Sequence, residues 1–381
     1  MRPDSESALS DAIRDANGPL RVVGGGTRVP WRPVSGAAIE TGGLNGVRLY
    51  EPGALTLVAG AGTPVSDIEA VLSEKGQRLA FEPMDARTVM ATTGEPTIGS
   101  VFAANVSGPR RVQVGAARDF LLGVRFVDGA GRIVKNGGRV MKNVTGYDLV
   151  KLMAGSFGTL GVLSEVSFKV LAVPQAEATL ISQGATLDAS LAALRSALRS
   201  PFDVSGAACF DGRAHVRVEG LSGSVAYRSG ALRKLLGAWD VIEGPESAAM
   251  WRDIRDVSAF AGSDDAVWKV VVKPTAAVGL ITALDEAGLA HRAVFDWGGG
   301  LIWLATPQVG DGGEAEIRRF CDENGGHATL VRAGDALRAR VAMFHPQQAA
   351  LERIAAGLRA RFDPDGRLNP GLMGVAAGEP R

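Results

Sequence analysis

Cysteine is almost missing: Cys209 and Cys321 are the only two among 381 residues, far apart and without a CxxC partner. Neither a disulfide framework nor an iron–sulfur cluster can be read from them. If electrons must leave through iron–sulfur, another subunit carries it. Charge of one sign is also missing, with 41 basic residues against 41 acidic. No block of like charge is present to grip a phosphate backbone or an anionic membrane, so nucleic acid is not expected as a partner. No apolar run approaches the roughly 18 residues of a spanning helix. The opening MRPDSESALS lacks a basic stretch followed by an apolar core. These absences point to a cytoplasmic protein without a membrane span, any membrane association being peripheral and through partner subunits.

What the chain has in excess is glycine, 50 residues with no collagen period, so many must serve turns or close backbone approach. The length suggests two domains, or three with a small subdivision. Asp4 or Ser5 can cap a first helix carrying Leu9, Ala12, Ile13 and Ala16 on one face. Short strands follow at Leu20 to Val23 and Ala37 to Glu40. After a strand at Leu55 to Ala59, Thr63-Pro64 reads as an N-cap for a helix with Val65, Ile68 and Leu72 on one stripe. Gly129-Ala130-Gly131 joins two hairpin strands. Beyond Pro174 the rhythm changes. Strand 177–182, helix 187–199, strands near 206 and 215, helix 223–236 and strand 239–243 form one β-α-β-β-α-β unit, and 267–332 reads as a second. A last helix is expected from Pro346, with Leu351, Ile354, Leu358 and Phe362 on one face.

Three stretches carry chemistry. In VVGGGTR, residues 22–28, a strand runs into Gly24, Gly25 and Gly26, then Thr27 and Arg28. Without Cβ atoms, backbone amides can close on an anion as a nest. The Gly-Lys-Ser/Thr ending of a nucleotide P-loop is missing. In EPTIGSVFAANVSGPR, residues 95–110, a turn feeds a helix N-terminus that suits a pyrophosphate. In residues 143–170, Gly155, Gly158 and Gly161 precede a strand, the reverse of the Rossmann order, which disfavours a nicotinamide site.

Together, in this order, the three stretches resemble the FAD-binding domain of the vanillyl-alcohol oxidase and para-cresol methylhydroxylase superfamily. The ending RFDPDGRLNPGLM, residues 361–373, resembles the tail that returns from the cap to the flavin domain. The likeness is greatest to the FAD-binding E-type subunit family of bacterial glycolate oxidase. It implies an α+β fold: a two-lobed PCMH-type FAD-binding domain over 1–174, an α+β cap of ferredoxin-like repeats over 175–344, and a helix and tail over 345–381. It further implies non-covalent FAD, with the pyrophosphate against Gly24, Gly25, Gly26, Thr27 and Arg28 on one side and Thr97, Ile98, Gly99 and Ser100 on the other. Asn105 and Gly108 complete that second stretch. Pro83 lies in FEPMDA, where Ala86 replaces the family's second proline. Gly161, Val162 and Leu163 would offer backbone to the adenosine half, Gly158 would also bind the cofactor, Asn369 would approach the isoalloxazine, and Lys142 and Tyr147 would shape its surroundings.

No catalytic residue is assigned from the sequence. Hydroxy-acid-oxidising relatives carry a histidine-rich glycine motif in the cap, whereas FDWGGGLIWLA, residues 295–305, has no histidine. Asp296 alone cannot hold a divalent ion, and no metal is expected. Arg110, Arg111 and Arg292 are candidate cations for a carboxylate. Two readings result: an accessory or electron-relaying subunit working with a homologous catalytic flavoprotein and an iron–sulfur subunit, or a self-sufficient flavin oxidoreductase for another 2-hydroxy acid or alcohol. In the second, Trp251, Trp297 and Trp303 would line the pocket.

Overall fold

The computed structural model describes residues 1–28, 34, 36–139 and 146–373. Lys142 lies outside them. The Ser5 hydroxyl caps helix Glu6–Arg14 by accepting from the Ala8 amide at 3.2 Å. Leu9 and Ile13, one turn apart, are buried against Leu20, Ile39 and Val162. Strands Leu20–Val23 and Ala37–Glu40 pair in parallel. The C-terminal tail runs beside the first of them, its Asn369 amide donating to the Leu20 carbonyl at 2.9 Å.

A five-stranded antiparallel sheet follows, in the order Val47–Glu51, Thr56–Gly60, Val162–Lys169, Leu121–Val127, Ile133–Gly137. Its core is a cluster of phenylalanines, with Phe81 at 5.6 Å from Phe102 and 5.3 Å from Phe120. Helix Val65–Ser73 begins after Pro64, with no side-chain cap. Thr63 instead ties the preceding loop, donating to the Gly60 carbonyl at 2.7 Å and accepting from the Gly46 amide at 2.9 Å.

The second half is one eight-stranded antiparallel sheet made of two four-strand units. The units join where Cys209 pairs with Phe295. Alternation gives this sheet two faces. Val216, Val218, Trp268, Val270, Phe295, Ile302 and Leu304 lie under helices Leu187–Arg199, Ser222–Leu236, Ala277–Glu286 and Glu314–Asn324. The intervening residues, among them Arg217, Glu219, Lys269, Asp296 and Trp303, are turned toward the first half of the chain. Val267, Val294 and Trp303 pack there against Met84 and Val89.

The α+β architecture is as expected, but the last helix differs. It spans Ala349–Phe362 and buries no residue; Leu351 is 55% and Ile354 62% exposed. Its end is anchored where Phe362 meets Phe126 with ring centres 6.1 Å apart.

Candidate functional site

Strand Leu20–Val23 delivers the chain directly into the glycine loop. The amides of Gly25, Gly26 and Thr27 donate to no acceptor among the described residues. Gly26 has φ +74 and open space where a Cβ would stand, the nest geometry that receives an anion. Gly25 is required for a different reason: a Cβ there would fall 1.5 Å from the Glu95 carbonyl oxygen, and one on Gly94 would fall 1.8 Å from the Gly25 carbonyl oxygen. The two stretches are interlocked backbone to backbone, so a leucine at 25 would break the loop's support rather than fill the space over it.

The helix Ile98–Ala103 starts beside this loop. Two of its first amides are already engaged, Ile98 with the Thr63 carbonyl at 2.9 Å and Gly99 with the Ala61 carbonyl at 2.8 Å. The amide of Ser100 donates to nothing among the described residues. The Thr97 hydroxyl is buried and has no hydrogen-bond partner among the described residues, an unmet polar group of the kind that a ligand oxygen completes.

A cavity of about 410 Å³ opens on one side of the loop, lined by Gly24, Gly25, Gly26, Thr27, Arg28, Gly99, Ser100, Gly158, Gly161, Leu163 and Asn369 of the expected residues. Phe157, Met343 and Leu372 add apolar wall. A second cavity of about 430 Å³ shares Gly24, Gly25 and Gly26 and includes Thr97. The structure brings together loop, helix start and tail, which lie more than 250 residues apart in sequence at the extremes. Asn369 accepts from the Val22 amide and donates to the Phe157 carbonyl, both at 2.8 Å. It fastens the tail to two walls of the cavity.

The other expected residues do not line this cavity. Ile98 and Val162 are in the apolar cores. Asn105, at φ +48, accepts from the Arg118 amide. Gly108 packs on the Glu82 carbonyl and accepts from the Trp297 indole N–H at 3.2 Å. Pro83 is buried beside Glu82 at the junction of the two sheets, and Tyr147 is 89% exposed.

The three candidate cations separate clearly. Arg110 is buried in ion pairs with Glu82 and Glu219, both at 2.8 Å. Arg292 is exposed and paired with Asp265. Arg111 is half-buried, its guanidinium 4.6 Å from the centre of the Trp297 ring. The sequence reading missed its neighbour. Lys269 lies 5.7 Å from the Trp297 ring and 5.9 Å from the Trp303 ring; the signal was a lysine inside the apolar strand AVWKVV. Burial, then Arg111 and Arg28, lower the Lys269 pKa to about 8, with Asp296 opposing. Asp296 is only 3% exposed, and burial raises its pKa to about 7 against the Trp297 amide that donates to it at 2.7 Å. Among the described residues no group of three or more His, Cys, Asp or Glu is placed to hold a metal ion.

The raised Asp296 pKa has a definite sign. Between about pH 4, the unfolded carboxyl's range, and about pH 7 the folded protein holds a proton that the unfolded chain has released. This group's contribution to stability therefore falls as pH rises through that window. Asp296→Asn should flatten the fall, so its melting temperature should exceed the wild type's at pH 8 and approach it at pH 4.5. Differential scanning fluorimetry across pH reads this directly, and parallel curves would show that Asp296 is ionised without cost.

Comparison with known proteins adds the lineage. Residues 1–137 match the family described as FAD binding domain. The glycolate oxidase subunit GlcE of Escherichia coli K12 is 35% identical over 367 residues, 96% of this chain and 95% of that subunit. The glycolate oxidase subunit GlcD of Bacillus subtilis 168 is 32% identical over 140 residues, 37% of this chain and 26% of that subunit. The structure of 4-ethylphenol oxidase from Gulosibacter chungangensis shares the fold, with a TM-score of 0.72 at 14% identity over 99% of this chain and 89% of that one. The fold and the matched domain are those of an FAD-dependent oxidoreductase. Within that class, the chain belongs to the glycolate oxidase subunit GlcE family.

Proposed function

We propose that this chain is the FAD-bearing E-type subunit of a multisubunit glycolate oxidase. In this assembly a homologous flavoprotein oxidises glycolate to glyoxylate, and an iron–sulfur subunit passes electrons onward. The observation that carries the reading is likeness to GlcE along nearly the whole of both chains. The loop between the two cavities supports it: three consecutive amides, the Thr97 hydroxyl and the Ser100 amide, all without partners among the described residues, suit the oxygens of a pyrophosphate. Gly24 to Arg28, Thr97 and Ser100 would hold that group, Gly158, Gly161 and Leu163 the adenosine half, and Asn369 would fix the tail against the flavin. When bound, the flavin accepts hydride and releases electrons singly or in pairs. Residues 1–174 form the flavin domain, 175–344 the cap and 345–381 the returning tail. No helix among the described residues is long and apolar enough to cross a membrane, in keeping with a cytoplasmic subunit that reaches a membrane only through its partners.

The FAD is held without a covalent bond. The described residues lining the cavity include no histidine, cysteine or tyrosine to attach it, and both cysteines are buried elsewhere. Acid precipitation should release all the yellow colour, and flavin left on the pellet would contradict this. Thr97→Val tests the assignment of the loop. Losing a hydrogen bond to a charged oxygen, about 1.5–3 kcal/mol, should weaken FAD binding roughly 10- to 100-fold. The flavin-free variant should be as stable as the wild type, because the hydroxyl has no other partner. Unchanged FAD affinity in this variant would place the pyrophosphate elsewhere.

A further inference from the structure

Arg111 and Lys269 stand over one indole, and among the described residues neither forms an ion pair with a carboxylate; Asp119 acts on Arg111 only through space. Because each lies over Trp297, the two charges are no more than about 10 Å apart, within about one Debye length at 0.1 M salt. Neither side chain makes an ion pair or hydrogen bond among the described residues. Elsewhere in the same interface positive charges are matched, with Arg78, Arg110 and Arg217 meeting Glu82 and Glu219. The indole faces attract the cations without neutralising them. Burial, then repulsion from Arg111 and Arg28, depresses the Lys269 pKa. Arg28, which lines the loop-side cavity, adds to the same positive field. Asp296 is the one carboxylate acting on Lys269, and the Trp297 amide holds it. Trp297 is itself fixed, its indole N–H donating to the Gly108 carbonyl.

We propose that Arg111 and Lys269, walled by Trp297 and Trp303, bind the carboxylate of a small 2-hydroxy or 2-oxo acid on the flavin-facing side of the second sheet. The size of the acid rests on the glycolate oxidase reading; the anion site rests on the unpaired cations. Each of these cations that meets the carboxylate would give it a charge-assisted bond, with the two indoles as apolar walls.

The test is isothermal titration of the purified flavin-loaded chain with oxalate, glyoxylate and inorganic phosphate at low chloride. Saturable binding of the carboxylates is expected, weakened at least about 10-fold by Arg111→Gln or Lys269→Met, the loss of one charge-assisted bond. Arg292→Gln, on the outer surface, should bind as the wild type does. Lys269→Arg keeps the charge and should retain binding within a few-fold, which covers the case of a poorly folding methionine variant. No saturable heat at millimolar ligand would overturn the proposal, as would equal affinities in wild type and both charge-removing variants. Phosphate binding as tightly as oxalate would reduce the site to a general anion trap and overturn the carboxylate assignment. Flavin content is counted separately. A colourless protein that still binds oxalate would reject the flavin reading and keep this one.

Discussion

Replacing Arg217 by methionine should destabilise the protein by about 3–5 kcal/mol, the cost of stranding a buried charge whose partner is removed. Arg217 is 1% exposed and forks onto Glu82 with two bonds of 2.9 Å, while its Nε lies 3.5 Å from Glu219. Trp251 backs it at 4.5 Å. Glu82 belongs to the first half of the chain and Arg217 to the second sheet, so this pair fixes how the two halves meet. The dependence on pH has a definite sign. Burial alone would raise the pKa of both glutamates, but Arg217 and Arg110 outweigh it and hold them below the ordinary carboxylate value. Their stabilisation is therefore complete above the unfolded value of about 4.3 and lost as pH falls through the folded values. The deficit of the methionine variant should be largest near neutrality and shrink in acid, where protonation relieves the stranded carboxylates. Adding Glu82→Gln should recover part of the loss at neutral pH, since coupled neighbours are not additive. Urea unfolding followed by tryptophan fluorescence measures all three. A single variant within 1 kcal/mol of wild type would show that water, not protein, solvates these groups.

This network was not legible in the sequence, and the reason is physical. In RAHVRVEG, residues 213–220, polar and apolar residues alternate, which gives a strand with two unlike faces. Alternation does not say what covers the polar face. Here the first half of the chain covers it, turning Arg217 and Glu219 from solvent-facing charges into buried, paired ones. The glycine loop was legible because close backbone approach leaves a mark in composition: only glycine fits at 25 and 94. Which amides remain available was not, since the Ala61 and Thr63 carbonyls that engage Ile98 and Gly99 come from another turn. The stripe on the last helix misled for the converse reason. Leu351 and Ile354 have helical spacing, but the helix lies outside both cores, so periodicity described a face and not a burial.

Purified alone, the chain should bind FAD yet turn over glycolate below about 0.1 s⁻¹, and rates on the order of 10 s⁻¹, typical of enzymes, should appear when the proposed flavoprotein and iron–sulfur partners are added. Oxidising a hydroxy acid needs a cation for the carboxylate and a base for the hydroxyl proton. Arg111 and Lys269 supply the first. For the second, the stretch 295–305 offers Asp296 and no histidine. Asp296 is buried and already accepts from the Trp297 amide. Its pKa of about 7 leaves it only partly ionised near neutrality, and no other carboxylate or histidine joins it in a metal-binding group among the described residues. The two cysteines are buried, separate and far from the number a cluster requires. A chain so equipped can hold a flavin and a carboxylate, but among the described residues it offers no cysteine cluster as an onward electron path. Dye-linked assays with glycolate and D-lactate, on the lone chain and on the reconstituted assembly, decide the matter. Turnover near 10 s⁻¹ by the lone chain would make this subunit a dehydrogenase in its own right, with Asp296 the first base to test. In that event Asp296→Asn should abolish the activity while leaving the FAD content intact.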